Sequence, residues 1–476
     1  MMSELESIVT EVLGRTGATN RSTGVAVAGA RNGSIHLAST HGLRDRASSQ
    51  PVTSSTLFDL GSLTKAFTAL ALLRAHEGGP IDLAAPLRGW LDVDWPDPEA
   101  AEELCLLDLL SHRSGLPAHH LLWYRRTDGP LDLVEVLPHL SVLPGGFRRT
   151  FAYTNLGYGL LGQKMEKLTG APWAASVASA VLEPLGIENA SLGTATEEAD
   201  VAHPYAGGQR LERLDAEAVA AAGAMRASLD DVARWVEWLS GGPAHRASIV
   251  SPEALERAFR AHVALTQPEP MMQLGWTWLE TIQGYGLGWF VGVAHGRRVA
   301  FHPGFVDGFS TAIAVLPDDG VAFAAMANDH LSALPGMVVG ELVRAAVGDP
   351  TPRSEADEAD PALPRDGASA RETQMAAEVT PDDWNVEGVY AHPAYGCVTV
   401  RREADGLVFD GPGPRWPLRR TGEDAGEVTV APFGLPTPLP MRFERKPGAP
   451  PHRFEVPLSM DPRLPPEVFT RMSGPA

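Results

Sequence analysis

Ser62 and Lys65 stand in FDLGSLTKAFTAL, separated by the spacing that puts two side chains on one helical face, one turn apart. A serine hydroxyl is a poor nucleophile at neutral pH. A neighbouring amine whose pKa is lowered by burial can accept its proton, and backbone N–H groups at a helix N-terminus can hold a developing oxyanion. On its own, SxxK also reads as a serine N-cap. Tyr153 and Asn155, in FAYTNLGYGLLG, offer a phenol and a carboxamide just before another helical pattern; the plain alternative is a loop tyrosine with Asn155 capping the helix. His302-Pro303-Gly304 falls on a predicted strand in VAFHPGFVDGFS. His302 there can supply a donor or a positive charge, and Gly304 can let a ligand backbone come close. A lone strand histidine is usually structural, but SxxK, YxN and HxG in this order form a three-part constellation.

The elements that must position these residues follow from periodicity. From Leu63 the chain has the apolar density of a buried helix, ending at Gly78-Gly79-Pro80. Upstream, an amphipathic helix with Leu5, Ile8, Val9, Val12 and Leu13 on one face precedes a hairpin around Asn32-Gly33. A helix-rich stretch over 83–239 contains LCLLDLLSHRSG, TNLGYGLLGQKMEKLTG and SLDDVARWVEWLSGG. Strands then return in GYGLGWFVGVAHG, RRVAFHPGFVDG, FSTAIAVLPDDG and VAFAAMAND, with Asp318-Asp319-Gly320 as a turn and not a metal site, and a helix closes the unit. The expected architecture is α/β plus all-α over 1–348: an antiparallel sheet flanked by helices, with a helical insert. An acidic, Pro- and Ala-rich linker is expected over 349–381, and short, evenly spaced strands over 382–476 predict a small all-β barrel.

Composition narrows the function. Over 476 residues, 44% hydrophobic and 21% charged, the chain has a globular balance. Its net charge of −20 and the lack of a basic stripe exclude a nucleic-acid partner. No secretory signal pattern opens the sequence and no window is apolar enough for a bilayer, so a cytoplasmic protein with no membrane partner is expected. Cys105 and Cys397 read as free, buried thiols, and His119-His120 as solvent-facing loop histidines.

Through FDLGSLTKAFTAL, LLSHRSGLP, FAYTNLGYGLLG and AFHPGFVDGFS, the stretch 5–348 resembles the serine β-lactamase and penicillin-binding-protein superfamily, in its group of class C β-lactamases, D-aminopeptidases, DD-peptidases and esterases. LEPLGIENAS, AAGAMRASLDDVARW and YGLGWF add to the resemblance, and the C-terminal piece is similar to the lipocalin-like β-domain that some members append. The resemblance implies a β-lactamase/transpeptidase-like fold with Ser62 as the acylated nucleophile and Lys65 and Tyr153 sharing general base and acid duty. It implies that Asn155 orients Lys65 and the substrate amide, and that the N–H groups of Ser62 and of Phe305, after HxG, form the oxyanion hole. No cofactor or metal is implied. The implied acyl donor is a small molecule or short peptide (a small ester or D-residue peptide), and the acceptor is water. The alternative is an acyltransferase passing the acyl group to an amine, including a peptide-cyclising thioesterase with a carrier-protein-tethered substrate; a non-catalytic binding module is a minor third reading. Two departures bear on substrate. His302 stands where many penicillin-recognising members carry the KTG lysine, which argues against β-lactamase activity, and Pro303 removes a strand donor.

Overall fold

The computed structural model describes residues 2–18, 23–79, 81–88, 94–124, 131–193, 200–213, 217–266, 270–349, 384–404, 406–411, 415–430 and 437–472. Its described residues fall into two compact units. One comprises Met1–Pro86, Cys105–Arg113 and Gly157–Arg365; the other comprises Leu87–Leu104, Ser114–Leu156 and Asp366–Ala476. This division differs from the boundary expected between 348 and 382. Two pieces of the helical insert, including Tyr153 and Asn155, pack with the C-terminal strands. The expected linker lies, apart from Asp349, outside the described residues.

In the first unit, α1 (Met2–Arg15) buries Val9, Val12 and Leu13 and leads to β1 (Val25–Arg31) and β2 (Ser34–His41). Asn32 and Gly33 between these strands both take positive φ, 52° and 73°, as the predicted two-residue hairpin requires. The helix after the SxxK serine is α2 (Thr64–Glu77). Then come α3 (Asn155–Thr169), α4 (Leu229–Ser240), β3 (Val263–Ala264), β4 (Thr281–Tyr285), β5 (Phe290–Ala294), β6 (Arg297–Val306), β7 (Phe309–Leu316), β8 (Val321–Ala327) and α5 (Leu334–Val347). α4 starts at a capping box, Ser228 with Asp231, the signature carried by SLDD. The sheet runs β3-β4-β5-β6-β7-β8-β1-β2 with antiparallel neighbours, so strands from the beginning and end of the unit meet at β8 and β1. β7 and β8 are buried at every position, because helices cover the sheet around them.

The second unit is built on a closed antiparallel barrel of eight strands: β9 (Gly388–His392), β10 (Gly396–Glu403), β11 (Gly406–Asp410), β12 (Arg415–Arg420), β13 (Ala425–Val430), β14 (Thr437–Glu444), β15 (Arg453–Val456) and β16 (Glu467–Arg471). Burial alternates along each strand, as a barrel with one dry face demands. A ladder of rings fills the interior: Phe454 and Phe469 stack at 4.9 Å, with Tyr390, Phe409 and Phe443 packed around Phe454. The same alternation corrects one expectation. Cys397 points outward from β10 and is exposed, whereas Cys105 is buried as expected.

Candidate active site

Ser62 lies in the tight turn Gly61–Leu63 that opens into α2, so the first helical backbone amides follow it directly. The turn is pinned from several sides. Leu60 N–H donates to the Met225 carbonyl at 2.9 Å, Thr311 Oγ1 donates to the Leu60 carbonyl at 2.8 Å, and Thr64 Oγ1 donates to the Gly61 carbonyl at 2.7 Å.

Two glycines let the turn press onto β6. A Cβ on Gly304 would lie 2.3 Å from the Leu60 carbonyl oxygen and 2.1 Å from Thr311 Oγ1. The backbone that Gly304 admits is therefore the chain's own, where a ligand backbone was expected. Gly61, at φ +54°, faces Phe305 in turn, and a Cβ there would sit 2.9 Å from the Phe305 nitrogen. This close approach brings the Phe305 amide beside the Ser62 turn, the neighbourhood that an oxyanion donor must occupy.

Lys65 Nζ sits 3.0 Å from Ser62 Oγ and donates to the Ala222 carbonyl at 2.9 Å. Its side chain is fully buried while Ser62 keeps partial exposure, so the nucleophile is reachable and the amine is dry. Burial drives the Lys65 pKa well below the ordinary lysine range. The Tyr158 ring lies 5.5 Å from the ammonium position, and the Tyr158 phenol is tied to the Leu110 carbonyl at 2.7 Å.

His302 is also fully buried. One ring nitrogen, Nδ1, lies 2.6 Å from the Pro303 carbonyl and the other, Nε2, 2.9 Å from Tyr285 Oη. A carbonyl only accepts, so Nδ1 carries the hydrogen and Nε2 accepts from the tyrosine. Burial, reinforced by the charge of Lys65, lowers the His302 pKa to about 3. The imidazole is thus neutral, and of the two roles open to it, donor or positive charge, burial disfavours the charge. His112 joins the same cluster, its ring 4.7 Å from Tyr285 and 5.3 Å from Tyr158, and burial first, then Lys65 and His302, keep it neutral as well. It is held at φ 56° in the turn after the helix Leu106–Leu110, where the buried Asp108 carboxylate binds Arg113 Nε at 2.7 Å.

In the second unit, whose insert ends at Leu156, Tyr153 stands two residues before Asn155, the first residue of α3. Both are buried, and Tyr153 packs 6.5 Å from Phe151. Thr154 Oγ1 accepts from Leu156 N–H at 3.3 Å at the start of the helix, where the plain alternative had Asn155 as the cap. His119, expected to face solvent, is fully buried.

Sequence reasoning thus named Ser62, Lys65, His302, Gly304 and Phe305, which the first unit brings together, but missed His112, Tyr158, Tyr285 and the Ala222 carbonyl. His112 and Tyr285 sit in LLSHRSGLP and YGLGWF, phrases noted for resemblance and given no role. A backbone carbonyl such as that of Ala222 leaves no side-chain signal.

A family model described as Beta-lactamase matches residues 9–348. Among curated proteins, the chain is 27% identical over 305 residues to an unguisins hydrolase of Aspergillus campestris, covering 59% of this chain and 54% of that protein. It is 36% identical over 195 residues to esterase EstB of Burkholderia gladioli, covering 38% and 49%. The chain therefore spans about half the length of the curated relatives it matches. Among solved structures, an octameric penicillin-binding protein homologue from Pyrococcus abyssi aligns with TM-score 0.61 at 19% identity, covering 98% of this chain and 99% of that one, a likeness of fold that extends through the barrel.

Proposed function

Because the chain belongs to the β-lactamase family, we propose that it is a serine hydrolase that opens an ester or amide, a small ester or a D-residue peptide, through an acyl-enzyme on Ser62. The observation that carries this reading is the buried amine of Lys65, 3.0 Å from Ser62 Oγ. A lysine whose pKa burial holds well below its ordinary value gives up its own proton more readily and can take the serine proton as the hydroxyl attacks a carbonyl carbon, and its second contact, to Ala222, keeps the amine aimed.

The developing oxyanion is assigned to the N–H groups of Ser62 and Phe305. Tyr153 is assigned the proton relay to the leaving group and Asn155 the orientation of Lys65 and of the substrate amide, roles carried over by resemblance. A neutral His302 offers no charge for the carboxylate of a penicillin, which favours uncharged esters and amides. The names of the curated relatives, a hydrolase and an esterase, support water as the acceptor.

The test is intact-protein mass spectrometry of wild type and Ser62→Ala, mixed with p-nitrophenyl esters, D-alanyl amides, peptidyl thioesters and a penicillin, with and without added amines. The expected result is an acyl adduct on wild type alone that decays to the free acid, with the penicillin the slowest donor. Partitioning of the adduct to an amide in preference to water would replace the hydrolase with an acyltransferase. Absence of an adduct with every donor would overturn the acyl-enzyme.

A further inference from the structure

The segment that carries Tyr153 has no ladder of its own. Residues 151–154 belong to neither helix nor strand, so their path is set by what packs against them. Within the second unit that packing comes from the barrel. Ala152, the residue before Tyr153, forms a buried apolar cluster with Leu143 and with Leu464 of the barrel. Leu464 closes the turn that begins at Asp461, its N–H donating to the Asp461 carbonyl at 3.1 Å.

A second turn of the barrel holds the same insert. Tyr395, between β9 and β10, is fully buried with its Oη 2.8 Å from His119 Nδ1, while His119 Nε2 lies 3.0 Å from the Ser141 carbonyl. Because the Ser141 carbonyl can only accept, Nε2 carries the hydrogen and the tyrosine hydroxyl donates to Nδ1. Burial keeps this pair neutral, lowering His119 to about 4 and raising the Tyr395 phenol. The two turns lie at one end of the barrel, since β9 pairs with β16 and Tyr395 packs 6.3 Å from Phe469 on that strand. One polar anchor and one apolar anchor thus reach the insert from a single rigid face.

We propose that the barrel is a positioning element for catalysis, in which Tyr395, through His119, and Leu464, through Ala152, hold the segment bearing Tyr153 and Asn155 in its working conformation. This rests on the role assigned to Tyr153 above. Aromatic rings pack against one another inside the barrel, and the contribution proposed for it lies in these end turns.

A double-mutant cycle on the full chain tests it, using the fastest p-nitrophenyl ester of the panel above: wild type, Tyr153→Phe, Tyr395→Phe and the double variant. Tyr395→Phe keeps the ring and removes the hydroxyl, and circular dichroism checks that each variant folds. In the wild-type background it is expected to lower kcat about ten-fold with KM changed less than about two-fold, the pattern of a misplaced catalytic group. In the Tyr153→Phe background the same change is expected to cost less than about two-fold, because the group it positions is already gone. Equal losses in both backgrounds, or no loss from Tyr395→Phe while Tyr153→Phe is crippled, overturn the positioning role and leave the function of Tyr153 standing. An unaffected Tyr153→Phe overturns the premise instead, and the proposal with it. Should Tyr395→Phe not fold, Leu464→Val replaces it in the same cycle with the same expectations.

Discussion

The turn bearing Ser62 and the segment bearing Tyr153 are held in different ways. Around Ser62, backbone and hydroxyl hydrogen bonds from Met225, Thr311 and Thr64 fix the turn, and Gly304 and Gly61 bring it against β6 with no room for a methyl group. Next to Tyr153, Ala152 is held by side-chain packing from Leu143 and Leu464, and elsewhere in the same insert a tyrosine–histidine hydrogen bond ties His119 to the barrel. Close backbone packing resists adjustment, whereas side-chain packing can relax at modest cost. The nucleophile and its base therefore sit on the stiffer support, and the residue assigned to proton relay sits on the softer one.

Gly304→Ala gives the largest expected effect on stability. Its Cβ would stand 2.3 Å from the Leu60 carbonyl, so β6 and the nucleophile turn would have to part. A loss of about 3 kcal/mol or more is expected, together with loss of Ser62 acylation. Leu143→Ala, in the softer region, is expected to cost about 2 kcal/mol and to leave acylation of Ser62 detectable. Urea unfolding and mass-spectrometric labelling of both variants measure this contrast; equal loss of labelling would erase it.

Acid probes both regions through buried neutral histidines. His302 in one unit and His119 in the other have folded pKa values of about 3 and about 4, below the unfolded value near 6.5. Between those values the unfolded chain binds a proton that the folded chain refuses, so stability rises with pH across the window and falls as pH drops below 6.5. Each histidine is expected to contribute a slope of about 1.4 kcal/mol per pH unit there. Unfolding measured from pH 7 down to 4.5 should show a shallower slope in His119→Asn and in His302→Asn than in wild type. An unchanged slope in either variant would mean that its histidine is charged in the folded protein.

What the sequence made legible follows the range of the interactions. SxxK at a helix start, the Asn32-Gly33 hairpin, the helical pattern of SLDDVARWVEWLSGG and the evenly spaced strands of the barrel are written over a few neighbouring residues, and each was readable. The glycine of HxG was found, but its partner was not, because Leu60 reaches it only when the turn folds onto the sheet. His119 and Tyr395 stand 276 positions apart, and no local pattern distinguishes a buried loop histidine from an exposed one. The choice between donor and charge at His302 stayed open for a related reason: protonation depends on tertiary burial and on Lys65, neither of which a strand motif encodes.

Lys65 marks the limit of how much the stiffer region is built for stability. Its amine is fully buried with its pKa well below the usual lysine value, so between the folded and the unfolded value the unfolded chain holds a proton that the folded chain gives up. By the same linkage, the folded state is destabilised relative to a chain carrying an uncharged side chain there, and the deficit shrinks as pH rises toward the unfolded lysine value. Lys65→Met keeps the length of the side chain and removes the polar head. It is expected to raise stability at pH 7 by about 1 kcal/mol, with the gain narrowing at higher pH, while acylation of Ser62 is lost. Thermal unfolding of the two proteins at pH 7 and pH 9.5 measures both the gain and its narrowing. A variant less stable than wild type at pH 7 would mean that the contacts of Nζ with Ser62 and Ala222 outweigh the burial of the amine, and that the nucleophile turn depends on its base for folding as well as for chemistry.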